Sequence, residues 1–247
     1  MEALSDNYLA ACRRYQGRIM RGENMTRIET FVDAAFAFAF TMLVISIDEI
    51  PQSPPELFAL SRDIPAFLLS ATLIGSVWLA HATWSRTFGL QDGVTIYLSL
   101  GLVMLVLIFV YPIKLMVQAT VIYLSGGVLG TELFDNPGWE DNSVADLFLY
   151  FSTGLGFLAI LILAHYFNAL RFRKPLRLNI TEIHFCHNKI VGWLMVVLVA
   201  MLFCVVAATA SSENIAWAGY VYFSLWILIP LAERAYAKFW ADKVNLD

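Results

Sequence analysis

The sequence predicts an all-α fold: a polytopic membrane protein with six transmembrane helices per subunit. Three observations carry that expectation. The chain is 59% hydrophobic and only 15% charged, with a mean hydropathy of +0.67, whereas soluble chains run nearer half apolar and a quarter charged. Six apolar segments of near-spanning length follow one another between residues 27 and 233. Lysine and arginine gather in alternate connections, which fixes an orientation. The net charge of -4 says little beside that placement, and basic residues scattered around apolar runs give no footprint for nucleic acid.

The elements follow in order. Residues 1–26 form an amphipathic N-terminal arm, with Leu4, Tyr8, Leu9, Cys12, Tyr15 and Ile19 set among Arg13, Arg14, Arg18 and Arg21. Two readings stand for it: a short helix on the membrane face with its arginines toward anionic headgroups, or a solvated, partly disordered arm. The arm lacks the apolar core of a signal peptide, so the first span is expected to remain in the mature protein. The six-helix transmembrane domain, 27–234, starts with a segment over about 27–48, ended by Asp48, Glu49 and Pro51. The second covers about 62–84, with Pro65 suited to a first helical turn. The third runs from Val94 to Tyr111 and meets Pro112, which should kink or end it. Lys114 to Leu124 is then an extension or an interfacial piece. A polar loop from Gly126 to Asn142 precedes the fourth segment, about 144–170. The fifth is placed at about 190–210, the sixth at about 214–233, and residues 235–247 form a tail.

Five basic residues lie in the arm through Arg27, Arg86 follows the second segment, and Arg171, Arg173, Lys174, Arg177 and Lys189 separate the fourth from the fifth. Arg234, Lys238 and Lys243 end the chain, while Arg62 and Lys114 stand on the other side among acidic loops. Both termini are therefore expected in the cytoplasm, with the protein in the cell (inner) membrane.

Within the first segment, Asp33 is an ionisable residue in an apolar run, the default mark of a functional or structural polar site. At about 100° per residue, Asp33, Phe36, Phe40, Val44 and Ile47 share one side. Phe38, Thr41 and Ile45, with Met42 at the edge, fall roughly 120° away, as does Arg27. By periodicity alone that second face reads as ordinary packing or lipid contact. Asp33 requires a buried donor, and Trp78 and His81 in the second segment offer an indole and an imidazole N–H. Two roles remain open: a structural network, or a proton relay through Asp33 and His81. Glu182, His184, Cys186 and His187 have zinc-compatible spacings but no second ligand cluster, so the grouping is read as incidental, with no metal or cofactor expected. The three cysteines read as reduced thiols, His165 and Asn168 as interface residues, and Lys114 as a snorkelling side chain. No nucleophile elbow, HExxH or phosphate loop suggests an enzyme.

Arg27-x-x-x-Phe31-Val32-Asp33 resembles the Arg-x-x-x-Phe-Ser-Asp signature of the lysosomal potassium channel family (the transmembrane protein 175 family) and its prokaryotic members, with Val32 in place of the serine. Trp78 and His81 match a tryptophan and histidine late in that family's second helix, and Pro112 matches the proline ending its third. The resemblance implies a homotetramer whose first helices line a central path for potassium and other monovalent cations. The family's narrow points lie five, eight to nine and twelve residues after the motif aspartate, which are Phe38, Thr41 with Met42, and Ile45 here. It also implies gating by apolar rings, Thr41 as the hydroxyl ligand, and no carbonyl filter; no Thr-Val-Gly-Tyr-Gly stretch occurs in the chain. Arg27, Asp33, Trp78 and His81 would form the supporting network. The alternatives from other classes are a proton-coupled secondary transporter using Asp33 and His81, and a lipid-interacting membrane protein without transport.

Overall fold

The computed structural model describes residues 3–45, 51–130, 133, 143–209 and 219–244. The first span's expected end at Asp48 and Glu49, the position of Ile47 and most of the loop expected over 126–142 lie outside the described residues.

The arm starts with a short helix, α1 (Asp6–Ala11), whose Tyr8 N–H donates to the Ser5 hydroxyl. A β-hairpin follows, β1 (Arg14–Tyr15) paired antiparallel with β2 (Arg18–Ile19). Its two turn residues, Gln16 and Gly17, both have positive φ (49° and 76°), which is how a two-residue turn follows the strands' twist. Within the arm, residues 6–11 are helical and residues 14–19 form the hairpin, with most side chains exposed. Arg18 and Arg21 are buried, because partners from distant parts of the chain receive them.

α2 (Arg27–Ile45) opens on a capping box: Thr26 N–H donates to Glu29 Oε2 (2.7 Å), and Glu29 N–H to the Thr26 hydroxyl (3.3 Å). α3 (Pro54–Ser61) is a short connector capped by Ser53. α4 (Ile64–Phe88) carries Pro65 in its first turn and stops at Gly89, whose φ of 59° favours glycine and where a Cβ would lie 2.8 Å from the Arg21 carbonyl oxygen. α5 (Gly93–Leu124) starts at the Asp92 cap. It passes through Pro112 without ending there, so of the two readings Lys114 to Leu124 is the extension of the helix and not a separate interfacial piece. Proline forfeits one ladder bond and crowds the preceding turn; beyond it Ile113, Met116, Val117 and Val121 are buried, and that packing carries the helix on.

α6 (Ser143–Arg171) matches its expected span closely. α7 (Ile180–Thr209) begins ten residues before the expected start near 190, and Glu182, His184, Cys186 and His187 lie on its first turns instead of in a loop. A charged opening is tolerated there because Glu182 is neutralised by Arg21. A 3₁₀ turn (Gly219–Ser224) leads into α8 (Leu225–Val244), which contains Pro230. Among the described residues, α2, α4, α5, α6 and α7 are the five helices long and apolar enough to cross a bilayer.

α6 packs between α5 and α7, α7 holds α8, and α2 rests on α4 and α5. The core joins Phe36 and Leu43 of α2 to Leu102 and Val110 of α5, Leu158 and Ile162 of α6 and Phe203 of α7. Gly154 lets α6 meet α5 closely: the Phe109 ring lies where a Cβ would sit, 1.6 Å from its ideal position.

Candidate functional site

α2 is two-faced. Val32, Phe36, Ala39 and Leu43 are buried against α4 and α5. The opposite stripe is left uncovered by the rest of the chain, with Phe38 56% and Ile45 70% exposed, Thr41 exposed between them and Met42 at its half-buried edge. Phe31 and Ala34 continue it toward Arg27, also exposed. The Thr41 hydroxyl donates to the Phe38 carbonyl at 2.7 Å. Its only proton is thereby used on the helix, and its oxygen lone pairs remain to accept from, or ligate, something beside the stripe.

Asp33 lies on the helix's third side, half-buried, where Trp78 Nε1–H donates to its Oδ1 at 2.8 Å. The other two residues expected in that network sit elsewhere. Arg27 is six residues from Asp33, about 120° around the helix, and among the described residues none of the ion pairs includes it. His81 is three residues beyond Trp78, which turns it about 60° away, toward α5 and α6.

There His81 joins a separate buried chain. Its Nε2 lies 3.1 Å from Ser99 Oγ, which lies 3.2 Å from His165 Nε2. His165 Nδ1 lies 2.8 Å from the Leu161 carbonyl, which only accepts, so Nδ1 carries a proton. For neutral rings the remaining directions follow. His165 Nε2 accepts from the Ser99 hydroxyl, and Ser99 oxygen accepts from His81 Nε2–H. Trp84 Nε1–H donates to the His165 carbonyl at 2.8 Å, and its ring meets the His165 ring edge-on at 4.7 Å. Asn168, one turn on, donates to Asp92 Oδ1 (3.0 Å) and Thr95 Oγ1 (3.1 Å) at the start of α5. α4, α5 and α6 are thus registered by polar bonds at two depths.

The roles of three polar residues near the start of α2, namely Glu29, Ser85 and Arg21, were missed by sequence reasoning. Glu29 is buried, and besides capping the helix it accepts from the Ser85 hydroxyl on α4. The spacing Thr26-x-x-Glu29 before an apolar run was the available signal. The third is Arg21, whose side chain is 1% exposed and faces Glu182, 0% exposed. Nη1 donates to Oε1 at 2.7 Å and Nη2 to Oε2 at 3.0 Å, a two-bonded fork. Nε donates to the Leu176 carbonyl at 3.0 Å. Ile19 N–H and Asn179 N–H also donate to Glu182, at 2.7 and 2.9 Å. On the arm's other side Gly22 N–H reaches the Arg86 carbonyl at 3.0 Å, and the Tyr8 hydroxyl donates to the Arg21 carbonyl at 2.8 Å. Burial, with Cys12 beside it and against the Arg21 charge, pushes the Tyr8 pKa up and keeps that donor protonated. The hairpin thus ties the end of α4 to the start of α7, close to where α2 begins.

The remaining candidates hold no common site. His184 and His187 pack on Tyr236 and Trp240 of α8, with ring centroids 5.6–6.1 Å apart. Cys186 is buried, and Glu182 is committed to Arg21.

Long apolar helices registered by buried polar bonds, with one helix left half-uncovered, define a multi-pass membrane protein. The family model for the endosomal/lysosomal potassium channel TMEM175 matches residues 27–112, from the first turn of α2 to the proline within α5. A potassium channel of Marivirga tractuosa is 33% identical over 210 residues, covering 82% of this chain and 84% of the relative. The crystal structure of the potassium channel MtTMEM175, a threonine-to-alanine variant in complex with a nanobody–MBP fusion protein, matches with a TM-score of 0.79 at 27% identity. That match covers 91% of this chain and 99% of the other. The chain belongs to the TMEM175 family, alongside its prokaryotic members.

Proposed function

We propose that the chain is one subunit of a homotetrameric cation channel permeable to potassium, with α2 lining the path. Family membership supports conduction of potassium, since both relatives bear that description. The observation that carries the pore assignment is the uncovered stripe of α2, on which Phe38, Thr41 and Ile45 stand one above another.

Four copies of that stripe around an axis give apolar rings at Phe38 and Ile45, and a ring of Thr41 oxygens between them. Apolar rings of small bore expel water and close a path without a charged gate. The Phe38 rings form the seal, and their rotation or a tilt of α2 opens it. Thr41, its proton held by the Phe38 carbonyl, presents lone pairs to a partly dehydrated cation. Selectivity arises at this ring and no carbonyl filter is used. The 3₁₀ turn and α8 supply the sixth crossing, both termini lie in the cytoplasm of the cell (inner) membrane, and Asp33 with Trp78 anchors the pore helix. The transporter reading gains no specific support, because Asp33 and His81 belong to separate hydrogen-bonded groups.

The test is potassium flux from liposomes holding the purified full chain. Phe38→Ala is expected to change the flux several-fold, with a smaller change for Ile45→Ala. Unchanged flux in both variants would remove α2 from the path. Saturable flux that runs only with a pH gradient would point to the transporter instead.

A further inference from the structure

Two adjoining clefts between α5 and α6 form one groove on the outside of the bundle. One, of about 580 Å³, is bordered by Tyr111, Lys114, Asp146 and Tyr150. The other, of about 490 Å³, shares Asp146 and Tyr150 and continues past Leu105, Phe109 and Phe157. Polarity is graded along it, charged at one end and apolar at the other.

The depths of these groups match one leaflet. Lys114 lies 21 residues beyond Gly93, about 32 Å along the helix, close to the thickness of a hydrocarbon core. It therefore sits at headgroup level when α5 enters near Gly93. Leu105 and Phe157 lie nine and eleven residues from Lys114 and Asp146, about 14 and 16 Å deeper, near the bilayer midplane. Tyr111 and Tyr150, both about half exposed, stand just inside the charged end, where interfacial aromatic residues gather. The groove's floor is firm: Phe109 stacks on Tyr150 with centroids 5.2 Å apart, and its ring rests on Gly154.

The geometry points to a binding site for phosphatidylethanolamine, with one acyl chain in the apolar stretch and the headgroup between Lys114 and Asp146. A cation and an anion at the same mouth complement a zwitterion. The Lys114 ammonium has three donors, of which a phosphate oxygen needs one, and the Asp146 carboxylate accepts from the primary ammonium. A choline headgroup has no N–H to give Asp146, and phosphatidylglycerol has no cation to place there.

Native mass spectrometry of the detergent-purified full chain, titrated with palmitoyl-oleoyl phosphatidylethanolamine, phosphatidylcholine or phosphatidylglycerol, tests the site. Phosphatidylethanolamine is expected to bind at least tenfold more tightly than the other two. Asp146→Asn should bring it down to the phosphatidylcholine level, and Lys114→Gln should weaken both alike. Equal binding of the three lipids, preference for phosphatidylglycerol, or an unchanged preference in Asp146→Asn overturns the proposal. The wild-type comparison stands even if a variant folds poorly. A benzophenone at position 150 that cross-links to a second copy of the chain instead of to lipid also overturns it, giving the groove to a subunit interface.

Discussion

Replacing Ser99 by alanine removes a single oxygen and strands two partners, the His81 Nε2–H and the His165 Nε2 lone pair. All three residues are buried, so both groups would stay dry, at a cost of about 1–3 kcal/mol for each unsatisfied group. Ser99→Ala should lower the melting temperature in detergent by several degrees, while Ser99→Thr, which keeps the hydroxyl, should recover most of it. Asp33 gives a contrasting case. Asn at this position retains a carbonyl oxygen for the Trp78 indole, whereas Ala leaves that N–H unpaired. Asp33→Asn is accordingly expected to melt close to the wild type and Asp33→Ala well below it. The Asp33–Trp78 pair was legible in the sequence because an acid in an apolar run demands a donor and the next segment offered an indole. The place of His81 was not. Trp78 and His81 look like one face when counted as one turn apart, and the 60° between them decides which helices they meet. Ser99, a plain serine in an apolar run, carried no mark of its role.

At the scale of elements, two glycines hold approaches that a methyl group would block. An ideal Cβ on Gly22 would lie 2.2 Å from the Ser85 carbonyl oxygen, a backbone atom that cannot step aside. Gly22→Ala should release the hairpin from α4, read as faster proteolysis within residues 1–26. At Gly154 the obstacle is the Phe109 ring, and Gly154→Ala should cost the few kcal/mol typical of overpacking, seen as a lower melting temperature. Glu182→Gln leaves the Arg21 charge buried without its counter-ion; breaking such a pair costs about 3–5 kcal/mol. The spanning parts of α4, α5 and α6 were readable from hydropathy, since lipid allows few alternatives to a long apolar helix. The early start of α7 was hidden because Glu182 and its neighbours resemble a polar loop until Arg21 is placed beside them. The hairpin was hidden for the same reason, since its buried arginines make sense only with the far partner in view.

On the scale of the whole molecule, composition announced a membrane bundle, and the motif around Asp33 pointed to the family. The assembly is a different matter, because a face left bare in one chain has the same apolar residues whether it meets lipid or three other copies. Multi-angle light scattering of the purified protein is expected to give the mass of four chains, and a monomeric mass would remove the axial path. The docked hairpin also has a consequence for how the protein is made. Glu182 follows Arg21 by 161 residues, so at about 5–20 residues per second the ribosome needs roughly 8–30 s to supply it. Throughout that interval Arg21 is a positive charge near the first span without the carboxylate that later receives it. Only after the α7 opening emerges does the same arginine leave water. The latch between the hairpin and α7 is thus one of the later contacts the growing chain can make.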